Sequence, residues 1–129
     1  MVLEVRSDDN AVLATFPERL LEENAKWLAE ARVSAALSPL SNSDVTHCSP
    51  LVVDAVEQSA NALGYANIRL PSGAGHDGVY VAHTGPVGMI FIPCLQGRSH
   101  CPEEWIEPEQ LCDGARVLFQ TLVELDKHR

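Results

Sequence analysis

Apolar and polar positions follow two periods along the chain. Between residues 11 and 32, Leu13, Phe16, Leu20, Trp27 and Ala31 recur near one helical face, which predicts an amphipathic helix. "SDDN" at 7–10 supplies N-cap candidates before it, and Pro17 marks either a kink or its first true turn. "VLEV" at 2–5 and "VSAAL" at 33–37 are short β-prone runs on either side, so this first part reads as β-α-β. Ser49 followed by Pro50 is an N-cap plus first-turn signature, and "LVVDAVEQSANALG" then runs as a helix stopped by Gly64. "NIRL" is a short strand, "PSGAGHDG" a glycine-rich loop, and "VYVAHTG" a helical segment. "VGMIFIPC" at 87–94 is nearly uninterrupted apolar sequence of strand length, the pattern of a core strand covered on both faces. After the loop "LQGRSHCPEEW", Pro108 opens a last helix striped by Leu111, Ala115, Leu118, Leu122 and Leu125.

The alternation predicts an α/β fold: a layered α/β sheet segment with flanking helices, preceded by a β-α-β piece. "SPLSNSDVTHCSP" at 38–50 concentrates Ser, Pro, Asn and Asp without periodicity and holds the boundary. Residues 1–40 form the first piece, 41–50 the linker, and 51–129 the second piece. The polar oddities collect in the two loops flanking the core strand, where open α/β sheets build their sites.

Composition narrows the partners. Apolar residues are 46% and charged residues 21% of the 129, ordinary for a globular chain. A net charge of −9 repels phosphate backbones and anionic membrane surfaces, and 5% aromatics leave little for a base-stacking platform. The expectation is therefore no nucleic acid and no membrane. Neither an apolar leader core nor a membrane-length apolar run is seen, and Cys48, Cys94, Cys101 and Cys112 show no C-x-x-C spacing. Those features read as a cytoplasmic protein with reduced thiols.

Two loops carry the candidate chemistry. In the first, His76 and Asp77 stand among glycines. Small neighbours let a substrate approach the imidazole while a carboxylate orients it; equally, the stretch is a tight turn in which Asp77 caps the next helix. The loop lacks the G-x-G-x-x-G register and a Lys-Ser/Thr ending, which excludes a nucleotide-phosphate cradle. The second loop places His100 beside Cys101. A Cys94/His100/Cys101 cluster fits no structural zinc spacing. His83 would share a face with His76 only if 76–83 were continuously helical, while His47 and His128 read as solvated. By position alone, Arg6 reads as a surface residue paired with Asp8 or Asp9.

"SGAGHD" at 72–77, "PVGMIFIPC" at 86–94, "GRSHCPEE" at 97–104 and "LEVRSDD" at 3–9 occur in the order found in the zinc-dependent hydantoinase/carbamoylase amidohydrolases. That group includes N-carbamoyl-L-amino-acid hydrolases, allantoate amidohydrolases and β-alanine synthase. The chain resembles the C-terminal part of such an enzyme, with residues 1 to about 40 resembling half of its lid or dimerisation domain. The resemblance implies that His100 is a terminal ligand of a dinuclear Zn (or Mn) site. It implies that Gly75 and His76 contact the substrate's carbamoyl or amide group, His76 acting catalytically on the developing oxyanion. Arg6 would bind the substrate carboxylate, with Asp77 and Glu104 in support. Gly78 departs from the alanine usual there, Glu4 from aspartate, and Arg98 from an apolar residue.

The group's other ligands and its glutamate general base lie in upstream motifs that this sequence does not contain, and a two-metal hydrolase needs both. The expectation is a fragment or split form of an amidohydrolase that cleaves linear C–N bonds, inactive as the 129-residue chain alone. The alternative is a stand-alone, non-catalytic binding or assembly module. Expected partners are a small amino-acid-like substrate or a complementary N-terminal chain, and apolar surface left open predicts a homodimer.

Overall fold

Helix signals in the sequence are obeyed closely, strand signals not at all. The computed structural model describes residues 1–127, which fall into two compact units: 1–46 with 71–74, and 47–70 with 75 onward. Among the described residues there are five α-helices, one short 3-10 turn at Leu95–Gly97, and no strand.

In the first unit, Asp9 caps α1 (Asn10–Glu23): its carboxylate accepts from the Ala11 N–H at 2.7 Å. Pro17 lies inside this helix. The predicted single helix over 11–32 is instead broken at Asn24, whose side-chain amide donates back to the Leu20 carbonyl at 2.8 Å, and α2 (Ala25–Glu30) follows. Asparagine competes for backbone groups in this way, which makes it a natural break point. Leu13, Phe16 and Leu20 are half-buried, but Trp27 is exposed and no residue of this unit is fully buried.

The second unit is built on α3 (Pro50–Ala62) packed against α5 (Pro108–Asp126), each opened by proline at its first turn. Gly64 follows α3 with φ 78°, the left-handed position that glycine takes without penalty. Ser49 stands at the N-cap of α3 without a side-chain cap bond. Small residues of α3, namely Ala55, Ser59 and Ala60, are buried with Val117 and Thr121 of α5, and Thr121 returns its hydroxyl proton to the Val117 carbonyl at 2.8 Å. Two polar clasps secure the edges. Tyr65 donates its hydroxyl to Asp113 at 2.6 Å, and Arg116 donates to the same carboxylate at 2.9 Å. Arg69 bonds Glu57 and Asp54 on α3, and these bonds, Glu57 first, hold its guanidinium above its ordinary pKa.

Residues 87–94 lie beside the two helices with their side chains alternating between two sides. Gly88, Ile90 and Ile92 face a groove between α3 and α5, whereas Val87 and Met89 approach Gly78 at the start of α4 (Gly78–Val81). Side chains alternate as they would along an extended chain, but the core strand predicted for this run is not formed, because there is no ladder. The Val87 carbonyl accepts from the Ser49 N–H at 2.7 Å, and the Leu95 N–H donates to Trp105 at 2.8 Å. Between these anchors, residues 88–93 make no backbone hydrogen bond among the described residues.

The expectation of a layered α/β sheet segment with a preceding β-α-β piece is therefore overturned: 2–5, 33–37, 67–70 and 87–94 all lack strand pairing. The physical reason is that a strand is defined by its neighbour. Apolar patterning selects residues that are covered on both faces, but ladder bonds need a second backbone at about 4.8 Å. No such backbone is provided within the described residues.

Surface area shows how little of this fold is enclosed. The chain exposes 10517 Å², where a compact monomer of 14.0 kDa exposes about 6,700 Å². Two separate compact pieces of half that mass would together expose only about 8,100 Å². The fully buried hydrophobic residues, among those described, are Ala55, Ala60 and Val117. The predicted stripe of α5 explains part of the excess. Leu111, Leu118 and Leu122 are 58%, 51% and 58% exposed and line the open groove, while α5 meets α3 through the neighbouring face at Val117 and Thr121.

Glycine sets how closely these pieces approach. A Cβ on Gly88 would lie 2.6 Å from Val52 Cγ1 and 3.2 Å from its Cβ, and one on Gly114 would collide with Ile92 Cγ2. At Gly114 an alanine would recover about 1 kcal/mol of helix propensity against the clash. Gly88 is outside any helix and has no such offset. Gly88→Ala is expected to lower stability by about 1–3 kcal/mol and to cost more than Gly114→Ala, checked by urea unfolding of both variants.

Candidate functional site

The glycine-rich loop is divided between the two units, and each half makes its own local structure. In the first unit, Arg6 donates from Nε to Glu4 at 2.9 Å and from a terminal nitrogen to the Gly73 carbonyl at 2.7 Å. The expected pairing with Asp8 or Asp9 is replaced by Glu4, two residues back on the same extended segment. Arg6 remains more than half exposed, with donors left over for a carboxylate. Ser72 closes the loop's start by accepting from the Ala74 N–H at 3.3 Å and donating to the Ala74 carbonyl at 3.1 Å.

In the second unit, the His76 imidazole does what Asp77 was expected to do. Asp77 occupies the N-cap of α4 but makes no side-chain cap bond; instead His76 Nδ1 accepts the Gly78 N–H at 3.0 Å. An accepting Nδ1 carries no proton, so the ring's hydrogen sits on Nε2. The exposed end of the imidazole is thereby a hydrogen-bond donor. Asp77 lends its carbonyl to the Tyr80 and Val81 N–H groups. Gly78 itself is confined: a Cβ there would sit 3.3 Å from His76 Nδ1 and 3.6 Å from Val87 Cγ2. Gly75 is exposed with open space around its Cα, which leaves room for a ligand. The helix ends at Val81, so His83 and His76 do not share a continuous helical face.

The second loop holds His100 in the left-handed region, φ 57°, uncommon for a residue with a Cβ. Glu104 accepts the His100 N–H at 2.8 Å and donates its own N–H to the Cys101 carbonyl at 3.1 Å, closing a turn around the strained residue. Cys94 donates its thiol to the Arg98 carbonyl at 3.2 Å, and all four cysteines are free.

The contacts thus join Arg6 with Glu4 and Gly73, His76 with Gly78, and His100 with Glu104. Reading the sequence missed Glu4 and Gly78 as partners; the only signal for either was that both depart from the family's usual residue. His128 lies outside the described residues. Among the described residues, no three His, Cys, Asp or Glu side chains gather so as to hold a metal ion. His100 brings one imidazole, so the residues present do not fit a dinuclear metal centre by themselves.

Comparison with known proteins agrees with the motifs. The chain belongs to peptidase family M20/M25/M40, whose profile matches residues 9–124. It is 46% identical over 122 residues to an N-carbamoyl-L-amino acid amidohydrolase of Geobacillus stearothermophilus, covering 95% of this chain and 28% of that protein. It is 34% identical over 125 residues to a ureidoglycolate hydrolase of Arabidopsis thaliana, covering 95% of this chain and 26% of that one. Its backbone is similar to the crystal structure of an amidase of the hydantoinase/carbamoylase family from Burkholderia multivorans, with a TM-score of 0.85 at 34% identity, over 92% of this chain and 29% of the other. The chain spans less than a third of the length of these relatives. No helix among the described residues is long and apolar enough to cross a membrane.

The His76 geometry has a direct spectroscopic consequence. Nitrogen-15 correlation spectra of the neutral imidazole are expected to show one tautomer, protonated at Nε2. Gly78→Pro, which removes the bonded N–H, is expected to release a mixture of both; a protonated Nδ1 in the unaltered chain would contradict the structure.

Proposed function

We propose that this chain supplies the substrate-facing C-terminal share of an amidohydrolase that cleaves linear C–N bonds of N-carbamoyl or ureido substrates, and that it is catalytically silent by itself. The observation that carries the reading is the bond from the Gly78 N–H to His76 Nδ1, which leaves Nε2 as the donor of an exposed imidazole next in sequence to Gly75, where space is open. A fixed donor that needs no reorganisation is what a developing oxyanion requires. Supporting it, relatives named as N-carbamoyl-L-amino-acid amidohydrolases and as ureidoglycolate hydrolases share most of this chain.

Each residue has a limited role in the proposal. His76 polarises the carbamoyl or amide oxygen and Gly75 leaves space for it, while Arg6 offers its remaining donors to the substrate carboxylate. His100 would offer its imidazole to the metal, Zn or Mn, of the assembled enzyme, with Glu104 bonding the N–H of its strained turn. Hydrolysis also requires a base to take a proton from water. Among the described residues no carboxylate gathers with His100 and a further ligand, which is why the chain alone is expected to be silent.

Purified 129-residue protein incubated with Zn²⁺ or Mn²⁺ is expected to give no hydrolysis of N-carbamoyl-L-amino acids above the metal-only background. Turnover that disappears in His100→Ala would show that the chain holds a complete site and would overturn the proposal.

A further inference from the structure

We infer that Glu4 is a specificity-determining residue for the carboxylate end of the substrate: it holds part of the Arg6 guanidinium as an internal competitor, so that the site takes an uncharged carboxamide end almost as readily as a carboxylate. The inference rests on the functional reading above, which gives Arg6 to that end of the substrate, and adds the residue that tunes it.

The donor count carries the first step. An arginine offers five N–H groups in a planar fork. Nε donates to Glu4 Oε1 at 2.9 Å, Nη2 lies 2.8 Å from the same oxygen, and Nη1 donates to the Gly73 carbonyl at 2.7 Å. Two N–H groups remain, one on each terminal nitrogen. The edge made by Nε and Nη2, on which a carboxylate can dock through paired bonds, is thus filled from within the chain. A substrate carboxylate either takes the two remaining donors of a guanidinium whose charge is already balanced, or displaces Glu4. Both routes weaken its binding. A carboxamide oxygen needs one donor and gains little from net positive charge, so Glu4 costs it little.

Sequence spacing and exposure then fix how strong the competition is. Residues two apart on an extended segment project to the same side, so Glu4 is tethered beside Arg6 whatever the substrate concentration. Asp9, the other carboxylate expected near Arg6, is committed to the Ala11 N–H. Both partners of the pair are open to water, Arg6 at 58% and Glu4 at 68%. Ion pairs that exposed shift an equilibrium by about 1.4- to fivefold. Glu4 therefore tunes the site and does not close it. The bond to Gly73 is independent of Glu4, so a ligand that displaces the carboxylate leaves Arg6 seated on the glycine-rich loop.

The test titrates the full 129-residue chain, labelled with nitrogen-15, with N-carbamoyl-L-alanine, with its uncharged carboxamide and with acetate. The probe is the Arg6 Nε–H resonance, assigned by its disappearance in Arg6→Lys. In the unaltered chain the carboxylate and the carboxamide are expected to bind within about twofold of one another. Glu4→Gln, and Glu4→Ala as a second variant, are expected to bind N-carbamoyl-L-alanine and acetate about two- to fivefold more tightly and to leave the carboxamide unchanged. The inference falls if the unaltered chain prefers the carboxylate by more than about fivefold, or if neither variant gains carboxylate affinity. It also falls if both variants lose that affinity, because Glu4 then orients Arg6 for the substrate. Variants that gain affinity for acetate and N-carbamoyl-L-alanine alike, with the carbamoyl compound no better than acetate, leave the competition standing and count against the functional reading.

Discussion

A backbone segment that is apolar on both sides and bonded at neither edge constrains everything around it. Among the described residues, 88–93 are held by their side chains and by the two end anchors, at Val87 to Ser49 and at Leu95 to Trp105, and make no backbone hydrogen bond of their own. The glycines follow from this. Gly88 lets the segment press on Val52, and Gly114 lets α5 close on Ile92, so the segment is seated by contact distance where a strand would be seated by ladder bonds. Side-chain packing of this sort is non-directional, and it fixes position less sharply than hydrogen-bonded register does. The scarcity of buried residues is the same fact seen from outside, since the helices cover one side of the segment and leave their own leucine stripe open.

That open stripe also clarifies α5. A helix facing one partner needs a single apolar face, but α5 has two adjacent ones: Val117 and Thr121 toward α3, and Leu111, Leu118 and Leu122 toward the groove. Its polar positions are consistent with the arrangement, because Asp113 and Arg116 are engaged with Tyr65 at the far side of the groove-facing leucines. Periodicity alone identified the leucine stripe on one face of the helix. It lines a space that this chain does not fill.

How much was legible depended on whether the cause was local. Proline at the first turn of α3 and α5, the Asp9 cap and the Gly64 stop are decided by neighbouring residues, and each appears where the sequence places it, apart from the Asn24 break. The strands failed because their cause is a distant backbone. For the candidate site, motifs single out His76, His100 and Arg6, with Glu104 in support, but they give little sign of the contacts to Gly78 and Glu4, which are backbone or short-range. Asp77 is the instructive case. A carboxylate before a short helix reads as its cap, but the preceding imidazole reaches the Gly78 N–H first and takes the role.

That exchange matters for chemistry, because capping and catalysis are usually competing explanations for a polar residue in a turn. In His76 they are the same bond. The ring nitrogen that satisfies the Gly78 N–H gives up its lone pair to the backbone, and only then is the opposite nitrogen committed to donating. Had Asp77 made the cap, the imidazole would be free to present either nitrogen, and a donor needed at one point in a reaction would first have to be selected from two tautomers. The same position tolerates little else: a Cβ on Gly78 would press on His76 Nδ1 at 3.3 Å and meet Val87 Cγ2 at 3.6 Å, so the residue that sets the tautomer is best left as glycine. A donor whose tautomer is set by a single local backbone bond needs nothing beyond residues 76–78 to choose which nitrogen donates.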